Sequence, residues 1–217
     1  MNSGIISITF DDGLKNHLEV AHPILAKFGL KATFYFVSGL VNRRKHLSKK
    51  DLLHLQNYGH EIGSHSASHI SLPGLPEKKL AKEISGSKKS LEKMGIEIST
   101  FAYPFGKYDE QSKKLVQLAG YKAARTNFQG FNTADSDRFA LRTFNMVRKT
   151  EFAEAEKKIQ EAREKKCWVI FCFHQIENGE ARWAIAPQML ESICRSVADS
   201  RLKCATVREC IEFALTT

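Results

Sequence analysis

Cys167-Trp168-Val169-Ile170-Phe171-Cys172-Phe173 is the most apolar run of the chain, and it ends on His174. Its aromatic and β-branched content reads as a strand. Segments of helical period flank it at 151–165 and 187–199, and the same alternation recurs throughout. Strands are expected at 5–10, 32–37, 61–64, 100–103, 121–125, 141–147, 167–173 and 204–207, with further helices at 17–28, 49–58, 77–94 and 110–119. Gly29, Gly59, Gly95 and Gly120 close several of these helices, as glycine commonly does. Strands alternating with helices predict a parallel sheet with crossover helices. Seven or eight such units predict an α/β barrel rather than an open sheet. No repeat, linker or low-complexity tract divides residues 1–217, and the irregular stretch 127–139 reads as one loop, so a single domain is expected.

Apolar residues make up 42% and charged residues 26% of the 217, which excludes a disordered or fibrous chain. Lys and Arg number 33 against 24 Asp and Glu, a formal net charge of +9. The basic pairs, such as Arg43-Arg44, Lys88-Lys89 and Lys165-Lys166, are scattered over helical segments with no interleaved aromatic residues. They read as solvated helix faces rather than a nucleic-acid platform. Cys167, Cys172, Cys194, Cys204 and Cys210 form no Cys-x-x-Cys pair, which suits free thiols in a reducing compartment. The opening MNSGIISITF has neither a charged leader nor a long apolar stretch. The expectation is a cytoplasmic protein with no membrane span, or a secreted one if a leader was removed.

In barrels of this kind reactive groups gather at the carboxyl ends of the strands. The residues that follow the expected strands are Asp11 and Asp12, His65, Pro104 and His174. Asp-Asp-Gly at 11–13 suits a turn, but two adjacent carboxylates can also divide roles, one binding a metal and one taking a proton. His65 and His69 stand four apart, a spacing that serves a divalent cation if the chain turns helically there. With Asp12 they would make a two-histidine, one-carboxylate face with open positions. His174 reads either as a hydrogen-bonded core histidine or, from its place on the rim, as an acid or base.

The ordered set TFDDG at 9–13, HSASH at 65–69, FAYPFG at 101–106 and an apolar strand ending in His174 resembles the polysaccharide deacetylase family, also called carbohydrate esterase family four. The resemblance runs from residue 5 to about residue 210 and includes the approach to the second motif, Gly59 to His65. It implies a distorted (β/α) barrel of about seven parallel strands and a bound divalent ion, zinc first, with cobalt, iron, manganese or nickel as alternatives. It also implies hydrolysis of a carbon–nitrogen bond other than a peptide bond, the N-acetyl group of glucosamine-type sugars, or of O-acetyl groups. The implied partner is an acetylated amino sugar in a glycan or conjugate. Asp11 matches the family's general base, Asp12, His65 and His69 its metal ligands, and His174 its acid. The backbone N–H of Phe105 matches the donor to the developing oxyanion.

Two departures stand out. The family's third motif carries an Arg where this chain has Ala102, so another cation must pair with Asp11; Arg142 is the first candidate and Arg125 the second. The family's Asp-rich fourth motif, with a Trp that orients the acid histidine, is not matched; Asp135 and Asp137, in about the right place, are the candidate carboxylates to steady His174. The rival readings are an amidohydrolase or deformylase acting on a lipid-linked or small substrate, and a non-catalytic glycan-binding relic.

Overall fold

The computed structural model describes residues 3–214. In chain order the elements are β1 (Ile5–Phe10), a π-helical turn (His17–Ala21) leading into α1 (His22–Lys27), β2 (Thr33–Phe36), α2 (Lys49–Asn57) and β3 (Glu61–Ser64). Next come α3 (Glu77–Ala81) and α4 (Ser87–Glu92), joined by a π-helical turn (Lys82–Gly86), then β4 (Thr100–Ala102), α5 (Glu110–Leu118) and β5 (Ala123–Arg125). The chain continues through β6 (Phe144–Asn145), α6 (Phe152–Lys165), β7 (Trp168–Phe173), β8 (Gln175–Ile176), β9 (Ala184–Ile185), α7 (Pro187–Asp199), β10 (Lys203–Cys204) and α8 (Val207–Ala214).

Seven strands form a curled parallel sheet in the order β5-β4-β3-β2-β1-β7-β6, the distorted (β/α) barrel expected from the sequence. The central pair is β1 and β7, in parallel register from Ile5 opposite Trp168 to Phe10 opposite Phe173. With β7 along one whole edge, the other edge of β1 is shared. Ile5 and Ile6 pair with β10, and Thr9 and Phe10 pair with β2. The expected strand at 141–147 divides its pairing in the same manner: Leu141 bridges Arg125 of β5, while Phe144 and Asn145 pair with β7. This short segment therefore ties together the two edges of the curled sheet.

Side chains alternate across each strand, and the two faces differ in chemistry. Ile6, Ile8 and Phe10 of β1 and Val169, Phe171 and Phe173 of β7 face the helices in the main apolar core. The inward face carries Ser7, Thr9, Thr33, Tyr35, Glu61, Thr100 and Arg125, all buried. A smaller cluster closes the amino end, where Val207, Cys210 and Ile211 of α8 pack on Ala123, Leu141, Trp168 and Ile170. Glu61 holds this end together, accepting from Thr33 Oγ1 at 2.9 Å, Thr100 Oγ1 at 2.5 Å and the backbone N–H of Arg208 at 2.8 Å.

The expected strand at 204–207 turns helical at its end, because Thr206 and Glu209 form a reciprocal cap for α8. Thr206 Oγ1 accepts from the Glu209 N–H at 3.2 Å, and the Glu209 carboxylate accepts from the Thr206 N–H at 2.8 Å. All five cysteines are free thiols, as expected, and no described helix is long and apolar enough to cross a membrane.

Beside the start of β3 the backbone N–H of Ala32 donates to His60 Nδ1 at 3.1 Å, which leaves His60 Nε2 to donate to His22 Nδ1 at 3.0 Å. Burial pushes His60 down to about 3, and burial likewise lowers His22. A histidine depressed in the fold stabilises it fully above the unfolded value near 6.5 and loses that contribution as pH falls toward the folded value. The unfolding midpoint of chelator-treated protein should therefore fall between pH 7 and pH 5, and less steeply in His60→Gln. Equal slopes for the two proteins in a thermal melt series would contradict this.

Candidate active site

Asp11 continues the inward parity of Ser7 and Thr9, so its carboxylate enters the barrel mouth and is buried to 4% exposure. Arg125 Nη2 donates to Asp11 Oδ1 in a close ion pair. The guanidinium lies over the Tyr35 ring, 4.6 Å from its centroid. Ala102 and Arg125 are register partners on adjacent strands, so β5 delivers at the same level the cation that β4 lacks. Arg142, the first candidate from sequence, does not serve. Leu141 points inward to Ala123 and Trp168, and the alternation sends Arg142 outward, where Nη1 donates to Gln129 O at 3.1 Å. The second candidate, Arg125, is the one that reaches Asp11.

The other carboxylate oxygen, Asp11 Oδ2, accepts from the Cys172 thiol at 3.5 Å and lies 3.7 Å from His174 Nε2 and 3.9 Å from His65 Nε2. Burial works against the ionised form, but Arg125 above all, then His65 and His174, holds the carboxyl at about 2. Asp11 is thus an anion throughout the neutral range.

Asp12 has the opposite parity and a left-handed backbone, φ 73°, which lifts its carboxylate out of the barrel toward the rim. Its Oδ1 lies 3.7 Å from His65 Nε2 and 3.5 Å from His69 Nε2. The donor atoms of Asp12, His65 and His69 all fall within 4.8 Å of one another. His65 Nδ1 donates to the Ala102 carbonyl at 2.7 Å, so its Nε2 lone pair faces Asp12. Burial pushes His65 down to about 4 and also lowers His69, which keeps both imidazoles neutral at pH 7. Burial, and then the charge of Asp11, raises Asp12 to about 6. Neutral imidazole lone pairs converging on a carboxylate that lacks a cation fit a divalent ion.

His174 follows β7 at the same mouth. Its ring packs against Trp183 with centroids 4.6 Å apart. His17 Nε2 donates to the His174 carbonyl at 2.6 Å. Asp135 and Asp137 do not orient the imidazole. His174 Nδ1 is buried without a hydrogen-bond partner among the described residues, while Asp137 pairs with Lys113 and accepts from the Phe139 N–H. The sequence reading missed Trp183 because it follows the histidine, on the turn entering β9, rather than preceding it in an Asp-rich segment. Trp183 and His17 were open to detection only as a rare residue type near a rim histidine and as a histidine in the first helical turn.

The turn Pro104–Gly106 forms the wall opposite. Phe105 takes a left-handed conformation, φ 58°, and its ring leans on His69 with centroids 4.7 Å apart. Gly106 also has positive φ, and a Cβ there would run into the side chain of Asn127. Together these groups, with Tyr103, Asn127 and Asn145, line a cavity of about 190 Å³. The expected residues Asp11, Asp12, His65, His69, Phe105 and His174 all meet in it; Arg142 does not.

Fold and site define a (β/α) barrel with a carboxylate–imidazole centre at its carboxyl mouth. The chain belongs to the polysaccharide deacetylase family, which residues 1–124 match. It is similar to the peptidoglycan-N-acetylglucosamine deacetylase of Bacillus cereus, 33% identical over 122 residues that cover 56% of this chain and 55% of that one. The chain spans about half the length of the curated relatives it matches. Among solved structures, the Streptococcus pyogenes deacetylase PplD in complex with acetate aligns with a TM-score of 0.61 at 27% identity, over 63% of this chain and 62% of that one. The Xyl-CE4 domain of a multidomain xylanase from the hindgut metagenome of Trinervitermes trinervoides shares the fold over 98% of this chain and 91% of that one, with a TM-score of 0.71 at 18% identity.

Removing one partner of a buried ion pair strands the other charge, at a cost of about 3–5 kcal/mol. Arg125→Met should destabilise the protein on that scale in denaturant unfolding, and Asp11→Asn in the same chain should restore much of the loss. Arg142→Met should stay within about 0.5 kcal/mol. A larger effect at 142 than at 125 would overturn the pairing.

Proposed function

We propose that the protein is a metal-dependent hydrolase that removes N-acetyl, or O-acetyl, groups from amino-sugar glycans or sugar conjugates. The observation that carries this is the convergence of the Asp12, His65 and His69 donor atoms within 4.8 Å of one another, beside His174 and an ionised Asp11. Asp12, His65 and His69 would hold the ion, and a set of two imidazoles and one carboxylate suits zinc. When bound, the ion supplies Lewis acidity to the acyl oxygen and makes water a better nucleophile at neutral pH.

The chain's own groups divide the remaining work. Asp11, anionic and fixed by Arg125, takes the proton from the attacking water. Its Oδ2 is the oxygen better placed for this, because Oδ1 faces the guanidinium while Oδ2 accepts only the weak thiol bond of Cys172. His174 Nε2, 3.7 Å from Oδ2 in the same cavity, gives a proton to the departing nitrogen. An amine leaves poorly without that proton. Phe105, left-handed at φ 58° and part of the cavity lining, would offer its backbone N–H as the donor to the oxyanion. The Phe105 ring, 52% exposed beside the opening, and Trp183 offer apolar surfaces to a sugar ring.

The test is elemental analysis with and without chelator, followed by acetate release from chitin oligosaccharides, peptidoglycan and acetylated xylan. His65→Ala should lose the ion and hydrolysis together. Asp11→Asn should keep the ion and lose about 10²–10⁴ in turnover. His174→Ala should lose more on N-acetyl than on O-acetyl substrates, since an alkoxide depends less on a proton donor. Unchanged metal content in His65→Ala, or near-normal turnover in Asp11→Asn, would defeat this reading.

A further inference from the structure

The two imidazoles of the cluster sit at the ends of a loop, Ser66-Ala67-Ser68, whose backbone is unusual. Ser66 and His69 both have positive φ, 67° and 57°, a conformation that non-glycine residues hold only when their surroundings enforce it. The enforcement comes from behind the loop. Glu83, on the π-helical turn between α3 and α4 and 3% exposed, accepts from the Ala67 N–H at 3.1 Å and the Ser68 N–H at 2.9 Å. It also accepts from the Ser68 hydroxyl at 2.6 Å. Ser87, one helical turn on, donates to the Ser66 carbonyl at 2.9 Å and exchanges a bond with Ser64 Oγ at 2.8 Å. In front, the N–H groups of Ser38 and Gly39 donate to the carbonyls of Ser66 and Ala67. A Cβ on Gly39 would stand 2.6 Å from the Ala67 carbonyl. The last bond is internal: the His69 N–H donates to Ser66 Oγ at 2.9 Å.

We propose that Glu83 is a positioning residue for the cation site, its buried carboxylate clamping residues 67 and 68 so that His65 and His69 present their Nε2 atoms together. The distribution of bonds supports a role in setting the loop rather than in packing. All three groups that donate to Glu83 belong to the short segment between the two imidazoles, and two of them are backbone N–H groups in a part-buried turn that are paired to this one buried carboxylate. A carboxylate accepting several N–H and O–H bonds fixes direction as well as distance. The clamp also sits on a widened helical turn, the kind of local irregularity that recurs at functional sites. Without it the backbone at Ser66 and His69 is released from its left-handed conformation, and the His69 ring swings away from Asp12.

This rests on Asp12, His65 and His69 holding a divalent ion, and Co²⁺ binding to chelator-treated protein separates the two ideas. Absorbance titration with Co²⁺, alone and in competition with a chelator, gives both affinity and the symmetry of the site. Glu83→Ala should bind Co²⁺ about 10–100-fold more weakly, the usual effect of removing an outer partner of metal ligands, with a changed d–d spectrum. Glu83→Gln should recover most of the affinity, since its carbonyl oxygen can take both N–H groups and its NH₂ can donate to the Ser68 hydroxyl. Ile159→Ala, which opens a void in the core near α6, controls for lost stability and should leave affinity and spectrum unchanged. If Glu83→Ala does not fold, Ser68→Ala combined with Ser87→Ala removes two of the loop's anchors and should weaken Co²⁺ in the same direction. Native affinity and spectrum in Glu83→Ala, or in the double variant, would overturn the clamp. An unaltered protein that binds no Co²⁺ would instead overturn the cation site itself.

Discussion

The structure depends on an ion pair buried inside the barrel. Transferring a carboxylate and a guanidinium out of water carries a large desolvation penalty, and close contact offsets it only when the remaining polar atoms also find suitable surroundings. Around Asp11 and Arg125 the barrel supplies most of them, although Arg125 Nε and the Tyr35 hydroxyl are buried without a hydrogen-bond partner among the described residues. The guanidinium lies over Tyr35, a thiol donates to the second carboxylate oxygen, and two imidazoles stand within 4 Å of it. Room for this comes from small residues at the same level. Gly63 lets the Tyr35 ring lie against β3, where a Cβ would clash with it, and Ala102 leaves the interior beside β5 open. The barrel interior is therefore polar in its middle and apolar only at the amino end that α8 closes.

Strand parity turns this constraint into a site. On β1 the inward series Ser7, Thr9, Asp11 continues past the last strand residue, so Asp11 is buried by the same alternation that buries the serine and threonine below it. Asp12 falls on the other parity, and its left-handed backbone redirects it to the rim, where it meets His65 and His69. Cys172 and His174 continue the inward series of Trp168 and Ile170. One carboxylate is thereby held inside the barrel at about 2 and its neighbour stands at about 6 at the mouth, so environment alone sets two chemically identical groups apart.

Much of this was legible in the sequence. Strand and helix alternation, read with the tendency of polar residues at strand ends to share a rim, placed Asp11, Asp12, His65, His69, Phe105 and His174 together. The partner of Asp11 was not legible, because its identity depends on facing. From sequence the alternation at 141–144 permits either Leu141 or Arg142 to point inward, and only the bridge from Leu141 to Arg125 and the packing of Leu141 on Trp168 decide it. Arg125 closes a strand read correctly, but its level with Ala102 is a cross-strand register that no local pattern encodes. The helix α8 was missed although Thr206 and Glu209 have the spacing of a reciprocal cap, since the β-branched residues before it read as a strand continuing.

The histidines show how far environment outweighs residue type. His65 is committed by the Ala102 carbonyl to one tautomer and pushed by burial to about 4, so it can offer a lone pair and cannot serve as an acid near neutrality. His17, driven by burial to about 4 despite its bond to the His174 carbonyl, is a neutral donor that fixes the backbone of His174 and adds no charge. His174 differs from both. No carbonyl or carboxylate among the described residues engages its Nδ1, Trp183 rather than a hydrogen bond limits its ring, and its Nε2 faces the one carboxylate that stays ionised. The two imidazoles beside Asp11 therefore differ in what holds them: the Ala102 carbonyl fixes the ring of His65, whereas packing on Trp183 places that of His174.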